Sequence, residues 1–233
     1  ILLSAFLISQ IFYAQTETAQ VVKDTTYWTK KGTIAVLGSQ SSFSQWQAGG
    51  SNNLAINGSI NYDINYKKDD WVWDNKFIAM YGINKLKGEE QRKTDDRLEI
   101  NSILGKKAKG EWYYSAFTNF KTQFDTGLNP KDETERISHF MSPAYWQTGL
   151  GMLWKKNDNL KVNIAPATAR FIFVHKHFTE FGESFGVEQG ENIRFELGAA
   201  VNAYYKVQIM ENFTIENILN LYSNYLEDPQ NVD

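Results

Sequence analysis

Residues 54–66 alternate between apolar and polar side chains, and this alternation constrains the fold more than any other feature of the chain. The even positions carry leucine, isoleucine or tyrosine, apart from Gly58, and the odd positions carry alanine, serine, asparagine or aspartate. Because successive side chains of a β-strand point to opposite faces, the run predicts a strand with one apolar and one polar face. The run is long beside the roughly five or six residues of an average strand, and it exceeds the roughly 9–11 residues with which a tilted strand crosses a bilayer.

The composition excludes several classes of protein. Seven Trp, 12 Tyr and 15 Phe against only four Pro favour strands. A net charge of −3 from 24 basic and 27 acidic residues provides no basic field for a nucleic-acid partner. The absence of cysteine excludes disulfides and a lipid-anchored cysteine. After residue 15 no apolar run approaches the ~20 residues of a transmembrane helix, which excludes a helical membrane protein.

The first residues have the features of a secretory signal peptide. Residues 1–15 form an apolar stretch that closes on Tyr13, Ala14 and Gln15, a cleavage site of the secretory type. A buried helix of the mature fold is the alternative. No basic n-region precedes the stretch, so we expect the first few residues to be missing. We assign residues 1–15 to the signal peptide, 16–32 to an N-terminal periplasmic lead-in and 33–233 to one barrel domain.

The alternation recurs and predicts nine strands, at about 33–44, 54–66, 71–84, 96–107, 112–124, 144–154, 160–174, 192–206 and 213–225. Pro166 interrupts the seventh strand and predicts a bulge or break, since proline cannot donate to the ladder. The connections after the even-numbered strands are short, and those after the odd-numbered strands are longer, as in bacterial outer-membrane barrels. We therefore predict an all-β, antiparallel up-and-down transmembrane β-barrel. Because such barrels have even strand numbers, we expect the barrel domain to be truncated at its C-terminus and the parent barrel to have ten to twelve strands.

Alternation alone also fits a soluble lipocalin-like ligand-binding barrel, whose apolar face points inward. Long strands, polar faces rich in Asn, Ser and Gly, and aromatic residues at the strand ends favour the membrane barrel with its apolar face toward lipid. The predicted aromatic girdle consists of Tyr62, Tyr66, Trp71, Trp73, Trp112 and Trp154. The polar residues predicted to face the lumen are Asn57, Asn61, Asp63, Asp74, Lys76, Arg97, Glu99, Lys121, Arg194 and Glu196.

Several segments resemble a known family. They are residues 44–53, 71–75, 92–99, 112–115, 120–124 and 223–226. The first of them reads Ser-Gln-Trp-Gln-Ala-Gly-Gly-Ser-Asn-Asn. These segments are similar to those of exported Bacteroidetes barrels grouped as domain of unknown function 3078. The resemblance spans essentially all of the mature chain and implies an outer-membrane β-barrel. It implies no assigned activity and no catalytic residues, and members of the family extend further at the C-terminus.

The histidines are the candidates for a metal or catalytic site. His175 and His177 lie two residues apart, as a metal-binding pair on one face of a strand would. Their position where the seventh strand reaches an external loop favours ordinary polar residues at the outer rim. His139 follows Ser138 in the longest loop, but a hydrolase would also need a third group and an oxyanion site. We expect no metal, no cofactor and no enzymatic activity.

Two functions stay open for the predicted outer-membrane barrel, whose one expected partner is the lipid bilayer. The inward charges carry both signs and can line a narrow pore for small solutes. Alternatively, they fill the lumen as a paired network, because an unpaired buried charge is costly. The second arrangement predicts a structural or binding barrel with a plugged lumen, whose external loops carry the function.

Overall fold

The computed structural model describes residues 27–43, 51–129, 132–227 and 230. The predicted signal peptide, residues 16–26 of the predicted lead-in and residues 44–50 lie outside this part of the chain. The described residues form eleven strands and one short helix: β1 (Trp28–Ser41), β2 (Asn53–Lys68), β3 (Trp71–Leu86), β4 (Arg92–Lys109), β5 (Trp112–Thr122), β6 (Gly127–Asn129), β7 (Asp132–Ser138), β8 (Ala144–Asn157), β9 (Leu160–Phe173), α1 (Lys176–Thr179), β10 (Ile193–Met210) and β11 (Phe213–Asn224). No helix among the described residues is long and apolar enough to cross a membrane.

Nine of the strands form one antiparallel, up-and-down sheet in the order β1-β2-β3-β4-β5-β8-β9-β10-β11. Each strand pairs with the next, and β1 and β11 are the two edges of the sheet in the described part of the chain. The sheet curls into a half-barrel. The prediction of an all-β, up-and-down fold with nine strands is confirmed.

The strand boundaries differ from the sequence prediction at several places. β1 begins at Trp28, inside the predicted lead-in, because it pairs without interruption from Trp28 opposite Tyr66 to Ser41 opposite Asn53. β10 continues to Met210, which reduces the predicted connection 207–212 to residues 211–212. Backbone pairing with a long neighbour extends a strand beyond the point where its side chains stop alternating. The hairpin β6–β7 and helix α1 lie within long connections, for which the sequence predicted no elements.

The connections differ in length between the two ends of the sheet. Two-residue turns at 69–70, 110–111, 158–159 and 211–212 define what we call the short-turn end. Connections 42–52, 87–91, 123–143 and 174–192 define the long-connection end. Asp69 (φ 50°) and Gly110 (φ 61°) adopt the left-handed conformation that such tight turns require.

The curvature buries charged side chains such as Asp74 on the concave face and leaves large apolar side chains exposed on the convex face. Asp74 of β3 forms ion pairs with Lys155 of β8 and Lys161 of β9, strands that are not its neighbours in the sheet. Such contacts are possible only across the inside of a curled sheet. The positions that alternate with these inward-facing residues carry apolar side chains on the convex face. Leu150, for example, is 65% exposed. The exposed apolar residues of the convex face differ from the polar outer surface expected of a soluble barrel.

The predicted irregularity at Pro166 is confirmed as a bulge. Ala165 lies opposite Ala200, but Thr168 lies opposite Gly198, so β9 carries an extra residue at this point. Before the bulge the odd-numbered residues face inward, and after it the even-numbered residues do, since both Ala165 and Thr168 are fully buried. The bulge therefore directs the second half of β9, with Arg170, into the concave face.

Candidate functional site

An ion-pair network lies on the concave face toward the short-turn end. The Lys155 ammonium donates to the two carboxylate oxygens of Asp74 at 2.9 and 2.8 Å, and Lys161 donates to one of them at 2.9 Å. Asp74 is only 4% exposed. Two residues further along β3, the Lys76 ammonium donates a hydrogen bond to Glu216 of β11 at 2.8 Å. These bonds connect strands from opposite walls of the half-barrel.

Two apolar clusters fill the space beside this network. One consists of Val72, Tyr113 and Leu153, and the other of Phe117, Ala165, Ala200 and Tyr222. Ile103 packs against both clusters and so joins them. Sequence analysis did not predict these clusters, although their members occupy inward positions that break the polar alternation. An apolar residue at such a position is the signal that could have revealed them.

Asparagine side chains form a hydrogen-bonded row across neighbouring strands at mid-height. Asn163 accepts from the Ser115 hydroxyl at 2.6 Å and donates to Asn202 at 3.3 Å. Asn202 in turn donates to Asn220 at 3.0 Å. Because each amide offers both a donor and an acceptor, the row satisfies polar groups that the curled sheet removes from solvent.

A cavity of about 350 Å³ lies on the concave face toward the long-connection end. Its walls include Arg97, Lys121, Arg170, Tyr145 and Tyr222. The Arg170 guanidinium lies 4.5 Å from the centre of the Tyr222 ring. We call this space the upper cavity.

Two buried carboxylates in and beside the upper cavity are neutralised by arginines. Glu99 accepts from Nε of Arg97 at 2.9 Å and also bonds the Nη2 group of the same side chain. Glu196 lies 2.9 Å from Nε of Arg170 and 2.8 Å from Nε of Arg194. Both glutamates are fully buried, so these contacts compensate charges that would otherwise be costly.

The connection 174–192 folds inward next to the upper cavity. Val187 is fully buried against Ile172 and Val174, and Tyr145 packs against the same cluster. Arg194 Nη1 donates to the carbonyl oxygen of Gly186 at 2.8 Å and holds the connection from below. The connection therefore covers the concave face next to the cavity, whose lining residues all lie on strands of the sheet.

The three histidines lie near one another at the long-connection end. The His139 ring lies 5.5 Å from the His175 ring and 5.1 Å from Phe178. Nδ1 of His175 accepts from the backbone N–H of His177 at 3.2 Å, at the start of α1. Among the described residues, no group of three or more His, Asp or Glu side chains is arranged to hold a metal ion.

The convex face carries the residues predicted as an aromatic girdle. Tyr62, Tyr66, Trp71, Trp73, Trp112 and Trp154 all lie on this face, toward the short-turn end. The Trp73 indole N–H donates to Ser102 at 2.8 Å, and Trp146, toward the other end, donates to Thr118 at 2.8 Å. Trp28, which sequence analysis did not single out, packs 5.7 Å from Trp73.

The structure places the ten residues predicted to face the lumen in three groups. Asp63, Asp74 and Lys76 lie together toward the short-turn end. Arg97, Glu99, Lys121, Arg194 and Glu196 lie in or beside the upper cavity. Asn57, which accepts from the Thr94 hydroxyl at 3.2 Å, and Asn61 lie on β2 apart from both groups.

Comparison with known proteins supports the family resemblance and adds no activity. No curated protein and no solved structure matches the chain. The model of a family described as "Protein of unknown function (DUF3078)" matches residues 39–128, from the end of β1 into β6. The match over residues 39–128 therefore supports the predicted resemblance of this chain to the DUF3078 family.

Proposed function

We propose that this protein is an outer-membrane β-barrel with a closed lumen, which acts as a binding or structural barrel and not as an open pore. The observation that most supports this proposal is the distribution of apolar and charged side chains between the two faces of the sheet. Large apolar side chains are exposed on the convex face, whereas charged side chains such as Asp74 are buried on the concave face. In water this arrangement exposes an apolar surface that monomeric soluble proteins avoid.

The convex face has the dimensions and chemistry of a lipid-facing surface. Trp146 and Trp154 lie on this face of β8, eight residues apart. At about 3.3 Å per residue they are separated by roughly 26 Å along the strand, which a tilt of about 40° reduces to roughly 20 Å. Outer-membrane barrels have an apolar band about 25 Å tall between aromatic girdles. The indole N–H of Trp146 finds its acceptor in Thr118, as a donor facing lipid must.

The contents of the concave face support a closed lumen. The Asp74 network links β3 to β8 and β9, and the Lys76–Glu216 bond links β3 to β11. Leu153, which is 1% exposed, fills the space beside the network. Ion-pairing and apolar packing in the same layer favour a lumen that is closed to water and ions.

Two measurements on the full-length protein test this proposal. First, the protein is expected to leave membranes only with detergent and to show heat-modifiable mobility on a denaturing gel. Solubility in buffer after removal of the signal peptide would contradict the membrane assignment. Second, planar-bilayer recording is expected to show no discrete conductance steps. Regular steps would favour the narrow pore instead.

A variant designed to open the lumen provides the matched comparison for the recordings. Replacing Asp74, Lys155 and Leu153 together by alanine removes the side chains that cross and fill the short-turn half. Preparations of this variant that keep heat-modifiable mobility are expected to conduct. If neither protein conducts, another part of the chain closes the lumen and these three residues are not the barrier.

A further inference from the structure

We infer that the upper cavity is a binding site for a small soluble oxyanion that carries a phosphate or carboxylate group. This inference rests on the proposed function, because the closed lumen turns the upper cavity from part of a passage into a compartment with a floor. The apolar cluster that contains Phe117 and Tyr222 forms the floor. The inward-folded connection 174–192 packs on the concave face next to the cavity.

The charges in and beside the upper cavity are unequal. Four cationic side chains lie among three carboxylates, and each carboxylate is already engaged by an arginine: the cations are Arg97, Lys121, Arg170 and Arg194, and the carboxylates are Glu99, Glu196 and Glu227. Like charges close together in a partly dehydrated space repel one another, and an anion bound among them relieves this repulsion. The excess of positive charge therefore predicts that the ligand is negatively charged.

Lys121 is the residue best placed to bind that anion. In the strand register it lies opposite both Glu99 of β4 and Tyr145 of β8, on the concave face. The described part of the chain offers its ammonium no hydrogen-bond or ion-pair partner, and its side chain is exposed into the upper cavity. A lysine with three unused donors at the wall of a cavity can bind an oxyanion as a point charge.

A second donor lies on the neighbouring strand. Glu99 uses Nε and Nη2 of Arg97, and among the described residues Nη1 has no acceptor. Gln147 and Asn119 provide amide groups one layer deeper in the same cavity. This combination of one free ammonium, one remaining guanidinium edge and neutral amides suits a phosphate or carboxylate on a small polar molecule.

The volume limits the ligand. About 350 Å³ lies at the lower end of the ~300–1,000 Å³ range of small-molecule sites. The cavity therefore accepts a molecule of a few to about a dozen heavy atoms and excludes a polymer chain that would have to pass through the floor.

The test is titration calorimetry on the full-length protein in nonionic detergent at low salt. The probes are inorganic phosphate and succinate, with sucrose as a neutral control. Saturable binding of phosphate, succinate or both, with none of sucrose, is the expected result, and the two anions distinguish phosphate from carboxylate chemistry. Lys121→Gln is expected to weaken binding about tenfold to a hundredfold, because a charged hydrogen bond is lost.

Lys206→Gln is the matched control. Lys206 lies on the same concave face toward the short-turn end, 3.4 Å from Glu216, and its replacement is expected to leave anion affinity unchanged. No saturable binding of either anion to the unmodified protein overturns the inference, and so does an equal loss in both variants. Heat-modifiable mobility checks that both variants fold.

The calorimetry and the bilayer recordings fail independently. A barrel that conducts but binds phosphate through Lys121 would contradict the closed lumen and leave the anion site intact. A barrel that does not conduct and binds neither anion would contradict the anion site alone.

Discussion

Replacing Asp74 by asparagine should destabilise the barrel far more than replacing an exposed carboxylate that contacts the same lysine. Asp74 is 4% exposed and accepts from Lys155 and Lys161. Asparagine has nearly the same shape, so the substitution opens no cavity. It removes the negative charge and leaves two ammonium groups within one dehydrated space.

The expected magnitude follows from how well the two lysines can find other partners. Removing one partner of a buried ion pair typically costs about 3–5 kcal/mol. Lys155 keeps Asp158 at 3.0 Å, and Lys161 lies 5.3 Å from the ring of Tyr204. Because these contacts remain, we expect the loss of unfolding free energy to lie at the lower end of this range, about 3 kcal/mol. This loss corresponds to roughly a hundredfold change in the ratio of folded to unfolded protein.

Asp158→Asn is the control because Asp158 pairs with the same lysine but its side chain is 70% exposed. Exposed ion pairs contribute about 0–1 kcal/mol. The assay is reversible urea unfolding in lipid vesicles, followed by tryptophan fluorescence and by the heat-modifiable band. If Asp74→Asn costs no more than Asp158→Asn, the carboxylate of Asp74 is hydrated in the barrel and the closed lumen is refuted with it.

Three further outcomes are expected. Ile100→Arg, on the convex face at mid-strand, should reduce the stability of the protein folded in bilayers by about 2–4 kcal/mol. Leu104→Arg, beside the aromatic girdle, should reduce it by only about 0–1 kcal/mol. Equal costs of the two variants in vesicle-folding titrations would contradict a lipid-facing midplane. Leu153→Ala should cost about 2–5 kcal/mol of unfolding free energy in the same titrations, and a loss below ~1 kcal/mol would mean that the cluster is loosely packed. The Tyr81 hydroxyl, which donates to Asp125 at 2.7 Å, and the Thr126 backbone N–H lower the pKa of Asp125. The stabilisation from this bond is present above the ordinary pKa of an aspartate and is lost as the pH falls through the lowered pKa of Asp125. Tyr81→Phe should therefore raise the pKa of Asp125 in an NMR titration. An unchanged pKa would contradict the bond.

Much of the fold could be predicted from the sequence because strand alternation is a local signal. The nine strands of the sheet, the unequal connections at its two ends and the bulge at Pro166 all follow from side-chain parity and from proline's missing N–H. The contents of the concave face could not be predicted in the same way. Which inward charge meets which, as Asp74 meets Lys155 of β8, depends on the curvature of the sheet and not on spacing in the chain.

The candidate site also depended on parts of the chain where periodicity says nothing. The connection 174–192 next to the upper cavity is irregular, and its position is fixed by the burial of Val187 and by the bond from Arg194 to Gly186. Lys121, the one cation of the upper cavity that the described residues leave without a carboxylate partner, is ordinary in the sequence. It becomes distinctive only when the described structure shows which other cations the two glutamates engage.

The bulge in β9 connects the strand pattern to the site. Without the extra residue at Pro166, Arg170 and Ile172 would lie on the opposite face, because a shift of one residue inverts every later side chain of a strand. Arg170 would then face the convex surface, Glu196 would lose one of its two arginines, and Val187 would lose the inward Ile172 against which it packs. One irregular residue in a regular strand therefore determines both the charge balance of the upper cavity and the position at which the connection 174–192 packs against the sheet. Proline is tolerated at this position because the extra residue of a bulge has no ladder partner and needs no N–H.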